Sequence, residues 1–163
     1  MIFIPNYVQI KYNDINITNN IYILVVLFSL CGYFIGAFLA DKFDIKIVYS
    51  LSTLVCIIVA LPIYQSLQYG NFDYFYILIS LLSISQASAG VLSLLQLAKR
   101  FPMENRYLLT SLCNALSSFL FLGMPPFLFS FLMQQSGVYY PMLIFIFVLM
   151  VQIYSTQIFY NKT

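Results

Sequence analysis

The chain has 163 residues, of which 62% are hydrophobic and only 7% carry a charge. A soluble domain carries about 25% charged residues, so this composition excludes a water-soluble fold and indicates a membrane protein. The net charge of +2 is too small to predict binding to nucleic acid. The sequence has no histidine, and its carboxylates lie in loops. We therefore expect no enzyme site, no cofactor and no metal ion.

Five apolar segments are long enough to cross a bilayer, which takes about 20 residues in a helix. In chain order, these predicted spans cover about 21–40, 47–67, 74–98, 107–133 and 138–160. Residues 1–20 precede them as an external segment that ends in a polar loop, and residues 161–163 form a tail. The predicted fold is all-α, a polytopic membrane protein with five transmembrane helices.

The basic residues predict how these spans are oriented. Lys11 lies on one side of the predicted topology. The basic residues on the other side are Lys42, Lys46, Lys99, Arg100, Arg106 and Lys162. Because short cytoplasmic loops are enriched in Lys and Arg, we expect this second side to be cytoplasmic. The protein would then lie in the cell (inner) membrane. Its N-terminal segment would be outside, and its C-terminus would be in the cytoplasm.

The loop between the first two spans, FLADKFDIK, contains four charges. Lysines set orientation, but acidic residues contribute little to it, so Asp41 and Asp44 need another explanation. The segment resembles the loop G-x-L-A-D-R-x-G-R-R/K of the major facilitator superfamily, with Asp41, Lys42 and Lys46 at matching positions. The resemblance implies that these residues help to latch the cytoplasmic side of a transporter. The departures are Ala37 and Asp44, which replace glycines, and Ile45, which replaces a basic residue. Asp44 and the loss of that basic residue should weaken such a latch.

A second resemblance is to the metabolite:proton symporters, the group that contains the proline/betaine transporters. Their loop and eleventh helix resemble LAKRFPMENRYLLTSLCNALSSFLFLGMPP. The residues that match in type and spacing are Phe101, Pro102, Arg106, Tyr107, Gly123 and Pro126. FIPNY, at residues 3–7, resembles the end of their seventh helix. The five spans would then be helices 8–12, a partial C-terminal bundle of a truncated or split carrier.

Two of the spans carry a polar stripe. The candidate substrate-pathway residues are Ser83, Gln86, Ser93, Thr110, Asn114 and Ser117. Polar side chains within a span face the bundle interior or an aqueous cavity. The resemblance places both spans among the helices that line the central cavity of the carrier. The alternative is that these residues form hydrogen bonds between helices without contacting a solute.

Small residues and prolines mark two further features. The first span has a stripe of small residues that would let two helix backbones approach closely, either as a sliding surface or as static packing. This stripe consists of Gly32, Gly36 and Ala40. The fourth span is interrupted where we expect either a hinge or a fixed bend. The residues at this interruption are Gly123, Pro125 and Pro126.

Together, these features predict part of a secondary active transporter for a small polar or zwitterionic solute, such as an osmolyte or metabolite. Such carriers pair two six-helix halves. The expected partners are membrane lipid, the solute, and either a missing or separately encoded N-terminal half or a second copy. The resemblance implies ion coupling, but no ionisable residue lies deep in a span, so the titrating groups would belong to the partner. The alternative is a transport-inactive scaffold or interaction protein derived from a decayed transporter.

Overall fold

The structure is a computed structural model that describes residues 3–118 and 139–160. Within these ranges the secondary structure is helical, without a strand, which confirms the all-α prediction for this part of the chain. The helices are α1 (Phe3–Tyr12), α2 (Ile15–Lys42), α3 (Ile45–Tyr69), α4 (Phe72–Arg100), α5 (Arg106–Ser118) and α6 (Tyr139–Tyr160).

Three of these helices, α2, α3 and α4, are long and apolar enough to cross a membrane. Their most apolar windows have mean hydropathies of 2.5, 2.2 and 1.8, respectively. The fourth predicted span, 107–133, is described only as far as Ser118. The fifth coincides with α6, which has 22 residues and an apolar stretch over Leu143–Tyr154. A total of five membrane spans therefore stays a prediction.

The structure differs from the predicted polar loop at residues 11–20. α1 ends at Tyr12, and α2 begins at Ile15 instead of residue 21. Asp14 explains the early start, because its carboxylate accepts the backbone N–H groups of Asn16 at 2.9 Å and Ile17 at 3.3 Å. This interaction caps the N-terminus of α2. The polar residues at 15–20 are therefore the first turns of a membrane helix, and the prediction of a loop there is wrong.

α4 is the central helix, because it packs against both α2 and α3, whereas these two consecutive helices touch each other little. Two glycines of α2 allow the contact with α4. A Cβ atom on Gly32 would lie 2.5 Å from the carbonyl oxygen of Ile84, and one on Gly36 would lie 2.8 Å from the Cα of Ser88. A side chain does not fit at these distances, so the backbones of α2 and α4 are in direct contact.

Ser88 connects α4 to both of its neighbours. Its backbone lies against Gly36 of α2. Its Oγ is hydrogen-bonded to Ser52 Oγ on α3 at 3.1 Å and to the carbonyl oxygen of Ser85 at 2.8 Å. Both Ser52 and Ser88 are buried. The three long helices therefore meet at one small polar residue.

The buried apolar residues form two clusters near opposite ends of α3. The larger cluster joins α1, α2, α3, α4 and α6, and its core residues include Val8, Ile21, Leu67, Phe75, Ile79 and Leu149. The smaller cluster consists of Ile45, Val48, Tyr49 and Leu92. Ala40, the last residue of the small-residue stripe, is partly buried against this second cluster. Together the clusters fix both ends of the α2–α3–α4 unit.

The close contact between α2 and α4 can be tested by adding one methyl group. We expect Gly32→Ala to destabilise the protein by about 1–3 kcal/mol, because the new Cβ would overlap the backbone of α4. Thermal unfolding of the purified protein in detergent measures the change as a lower melting temperature.

Gly90→Ala is the matched control, since a Cβ atom on Gly90 meets nothing within 4 Å among the residues that the structure describes. Alanine is the better helix former by about 0.5–1 kcal/mol, so this variant should melt at the same temperature or higher. Equal melting temperatures for both variants would contradict the packing of Gly32.

Candidate functional site

One face of α4 carries the polar residues that were predicted to line a pathway. Ser83, Gln86, Gly90 and Ser93 lie within a sector of about 80° at 100° per residue, and we call them the α4 stripe. Their burial changes along the helix. Ser83 is fully buried, Gln86 is partly buried and Ser93 is exposed. The stripe is therefore covered towards the start of α4 and uncovered towards its end.

The polar groups of the α4 stripe differ in their hydrogen bonding. Ser83 Oγ donates to the carbonyl oxygen of Ile79, and Ser93 Oγ donates to that of Gly90, each at 2.7 Å. Both hydroxyls are thus satisfied within α4. Gln86 Oε1, by contrast, is buried and has no hydrogen-bond partner in the described part of the chain. A buried unpaired acceptor costs about 1–3 kcal/mol, so Gln86 would gain most from a donor.

Gly90 has a different environment from the glycines of α2. No atom of residues 3–118 or 139–160 lies within 4 Å of the position that its Cβ would occupy. A glycine inside a helix costs about 0.5–1 kcal/mol relative to alanine, and helix packing does not offset that cost here. An uncovered glycine leaves the helix backbone open to close approach by another group. Gly90 is therefore a position of the α4 stripe where another group could approach the helix backbone closely.

α5 presents a second polar face. Thr110, Asn114 and Ser117 share one side of this helix, within about 60° at 100° per residue. Thr110 is partly buried and its Oγ1 donates to the carbonyl oxygen of Arg106 at 2.6 Å, whereas Asn114 is exposed. The side chain of Ser117 lies outside the described residues.

The opposite side of α5 is apolar. It consists of three exposed leucines at four-residue spacing, Leu108, Leu112 and Leu116. α5 packs against α4, and on its polar face Asn114 is exposed like the three leucines. In a bilayer the leucine side can face lipid, whereas a carboxamide avoids hydrocarbon. The side with Thr110 and Asn114 is therefore the one that would face water or protein.

The charged loop between α2 and α3 has local structural roles. Asp41 and Lys42 are exposed, and Lys42 Nζ lies 4.4 Å from the ring centroid of Phe38. Asp44 is the N-cap of α3, since its carboxylate accepts the backbone N–H of Lys46 at 3.0 Å. Sequence reasoning treated Asp44 only as a departure from the loop motif. An aspartate just before an apolar segment was the signal that could have identified the cap.

The second motif forms the turn between α4 and α5. Phe101 ends α4 and Arg106 begins α5. Arg106 Nε donates to the carbonyl oxygen of Phe101 at 3.3 Å, which connects the two helix ends. Pro102 and Tyr107 are exposed. The hinge candidates lie outside the described residues, and they are Gly123, Pro125 and Pro126.

A family model described as Major Facilitator Superfamily matches residues 1–157. The chain belongs to the Major Facilitator Superfamily. Members of this family are membrane transporters and not enzymes. This confirms the prediction of a transporter family and the prediction that the chain is not an enzyme. No curated protein and no solved structure matches the chain. The particular subgroup and the assignment to helices 8–12 stay predictions.

Sequence reasoning missed one contact, at the end of α1. Lys11 Nζ donates to the carbonyl oxygen of Leu67 at 2.9 Å, and Tyr12 Oη donates to the same oxygen at 2.7 Å. Leu67 lies in the last turn of α3, where carbonyl groups lack partners within the helix. No local pattern indicates the contact, because 56 positions separate Lys11 from Leu67.

The two sides of α5 can be distinguished by their access to water. In membranes, we expect Asn114→Cys to react with a charged methanethiosulfonate reagent, because only a hydrated thiol ionises. Leu112→Cys is the matched control, since Leu112 is also exposed in the bundle but lies on the leucine side. It should stay unreactive in lipid. Wild-type protein supplies the background of the three native cysteines. Faster reaction at position 112 than at position 114 would reverse our assignment.

Proposed function

We propose that the chain forms part of a secondary active transporter for a small polar or zwitterionic solute, with its pathway along the α4 stripe and the polar side of α5. One observation carries the proposal. Ser93 and Asn114 are exposed polar residues, and no described residue fills the space at the Cβ position of Gly90, in a chain whose exposed surface is otherwise rich in large apolar side chains. Polar groups at membrane depth are tolerated where they line water or another bundle. A pathway between two halves of a carrier supplies such an environment.

The chemistry of these residues suggests the class of solute. Hydroxyl and carboxamide groups recognise a ligand by hydrogen bonds and contribute no net charge. The charged residues in the three long helices lie at their ends, at positions such as Asp41, Lys46, Asp73 and Lys99. Such a surface suits a neutral or zwitterionic solute. For ion coupling, the proposal places the titrating groups in the partner bundle.

The proposal requires a second bundle. We infer that the chain supplies helices 8–12 of a carrier and works with a six-helix N-terminal half, on the same polypeptide or on a separate one, or with a second copy. The order of the two loop motifs along the chain supports this assignment. We further propose that the exposed charges Asp41 and Lys42, together with Lys46, contact the partner half at the cytoplasmic side.

The alternative is a transport-inactive scaffold derived from a decayed transporter. At the level of sequence, the degraded loop motif favoured decay, with Ala37, Asp44 and Ile45 as its departures from the family pattern. In the structure Asp44 caps α3, so this departure has a structural role of its own. The observation removes one reason for the scaffold alternative and favours the transporter.

The proposed orientation has an external N-terminal segment and a cytoplasmic α2–α3 loop. We expect Asp44→Cys to react with an impermeant thiol reagent in inside-out vesicles only, and Asn16→Cys to react in intact cells only. Both residues are exposed in the structure, so access depends on the side of the membrane. The opposite pattern of labelling would contradict the orientation.

The proposed role of Gln86 can be measured by uptake of radiolabelled proline and glycine betaine into cells that express the full chain with its partner half. We expect Gln86→Leu to reduce uptake by roughly two- to tenfold, the effect of losing one hydrogen bond of about 0.5–1.5 kcal/mol. Gln65→Leu is the matched control, because Gln65 lies on α3 and is exposed outside the α4 stripe. Unchanged uptake in Gln86→Leu would reject a pathway role for Gln86. Absence of uptake and of solute-dependent thermal stabilisation in the wild type would favour the scaffold.

A further inference from the structure

The hydroxyl groups along the proposed pathway already donate hydrogen bonds within their own helices. Ser83, Ser93 and Thr110 each donate to a backbone carbonyl oxygen three or four residues earlier, at 2.6 or 2.7 Å. A hydroxyl group has one proton to donate and two lone pairs that accept. Each of these oxygens can therefore still accept a hydrogen bond, whereas donating one to a solute would require breaking the bond within the helix.

Two of these acceptors lie where a solute can reach them. Ser93 is exposed and Thr110 is partly buried, whereas Ser83 is fully buried. Gly90 lies one turn before Ser93, and no described residue fills the space at its Cβ position, which leaves room for a solute group beside Ser93 Oγ. Gln86 Oε1 is a further acceptor without a partner in the described part of the chain, but it is covered. The hydroxyl oxygens of this face are therefore available to a solute as acceptors.

The same part of the chain lacks aromatic rings. Residues 77–100 and 108–118 contain no Phe, Tyr or Trp, although 18% of the whole chain is aromatic. These two ranges include the α4 stripe and the polar residues of α5. A quaternary ammonium ion has no N–H group, and proteins bind such ions in cages of aromatic rings. The two helix segments therefore offer acceptors for N–H groups but no rings for a cage.

We propose that the pathway selects zwitterionic solutes whose ammonium nitrogen carries at least one hydrogen over fully methylated quaternary analogues, and that Ser93 Oγ and Thr110 Oγ1 accept these N–H groups. The inference rests on the proposed function, since it presumes that a solute passes along the α4 stripe and the polar side of α5. The carboxamide N–H groups of Gln86 and Asn114 are donors that suit the carboxylate of the same solute. A quaternary ammonium group would place methyl groups against both hydroxyl oxygens and displace water from them, which lowers its affinity.

Inhibition of radiolabelled proline uptake tests this selection in cells that express the full chain with its partner half. The competitors are proline, N-methylproline and N,N-dimethylproline, whose nitrogen atoms carry two, one and no hydrogens at neutral pH. We expect the concentration for half-inhibition to rise by roughly two- to tenfold for each N–H group that is lost, the effect of one missing hydrogen bond. Equal inhibition by all three competitors would overturn the inference.

Two variants separate hydrogen bonding from the size of the added methyl groups. Ser93→Ala removes one acceptor, and Thr110→Val removes the other while it keeps the shape of the side chain. We expect each variant to weaken inhibition by proline by roughly two- to tenfold and to leave inhibition by N,N-dimethylproline unchanged. If Ser93→Ala instead improves inhibition by N,N-dimethylproline and leaves that by proline unchanged, the wild type excludes the methyl groups by size, and the inference is wrong.

Ser80→Ala is the matched control on the same helix. Ser80 Oγ makes the same kind of bond, to the carbonyl oxygen of Tyr76 at 2.7 Å, but Ser80 lies outside the α4 stripe, about 140° from Ser93 around α4. Inhibition by all three competitors should stay as in the wild type, and a loss like that of Ser93→Ala would contradict a specific role of Ser93. If the wild type neither takes up proline nor shows solute-dependent thermal stabilisation, the proposed function fails together with the inference. If it takes up proline and the three competitors inhibit equally, the inference alone fails.

Discussion

The direct backbone contact between α2 and α4 is the constraint on which the rest of the bundle depends. In lipid, the hydrophobic effect does not drive helices together, so close packing and hydrogen bonds must hold them. Gly32 and Gly36 allow that packing, and Ser88 extends it to α3. Because Ser88 faces this junction, Gln86 and Gly90, about 160° away around α4, face away from it. The contact that holds the bundle thereby also orients the α4 stripe.

The few charged residues of the chain largely serve the ends of helices. Asp14 and Asp44 cap the starts of α2 and α3, and Lys11 binds the carbonyl groups at the end of α3. Helix ends carry unpaired N–H or C=O groups and a partial charge. In a chain with seven basic and five acidic residues, these positions let the charged groups remain near water while they stabilise the membrane helices. They also explain why a lysine is tolerated on the proposed external side.

Composition and hydrophobic length were sufficient to predict a helical membrane protein and the existence of its long helices. The start of α2 was missed because the capping group of Asp14 outweighs the polarity of residues 15–20. Helical periodicity identified the α4 stripe, but periodicity gives only the direction of a side chain. Whether Ser83 is buried and Ser93 exposed depends on which helices cover each level of α4. The contact of Lys11 with Leu67 depends on the tertiary fold and has no local signal.

The contacts within the bundle differ in how readily they can change. Between α2 and α4 there is backbone contact without room for a side chain, so sliding would force the two helices apart. For the stripe of small residues on α2, static packing is therefore physically favoured over a sliding surface. α1, in contrast, is held at its end by two side-chain donors on a single carbonyl oxygen. A transporter must rearrange to expose a pathway alternately to each side. Rearrangement is least costly at contacts that water can replace, and the backbone contact of α2 with α4 is not one of them.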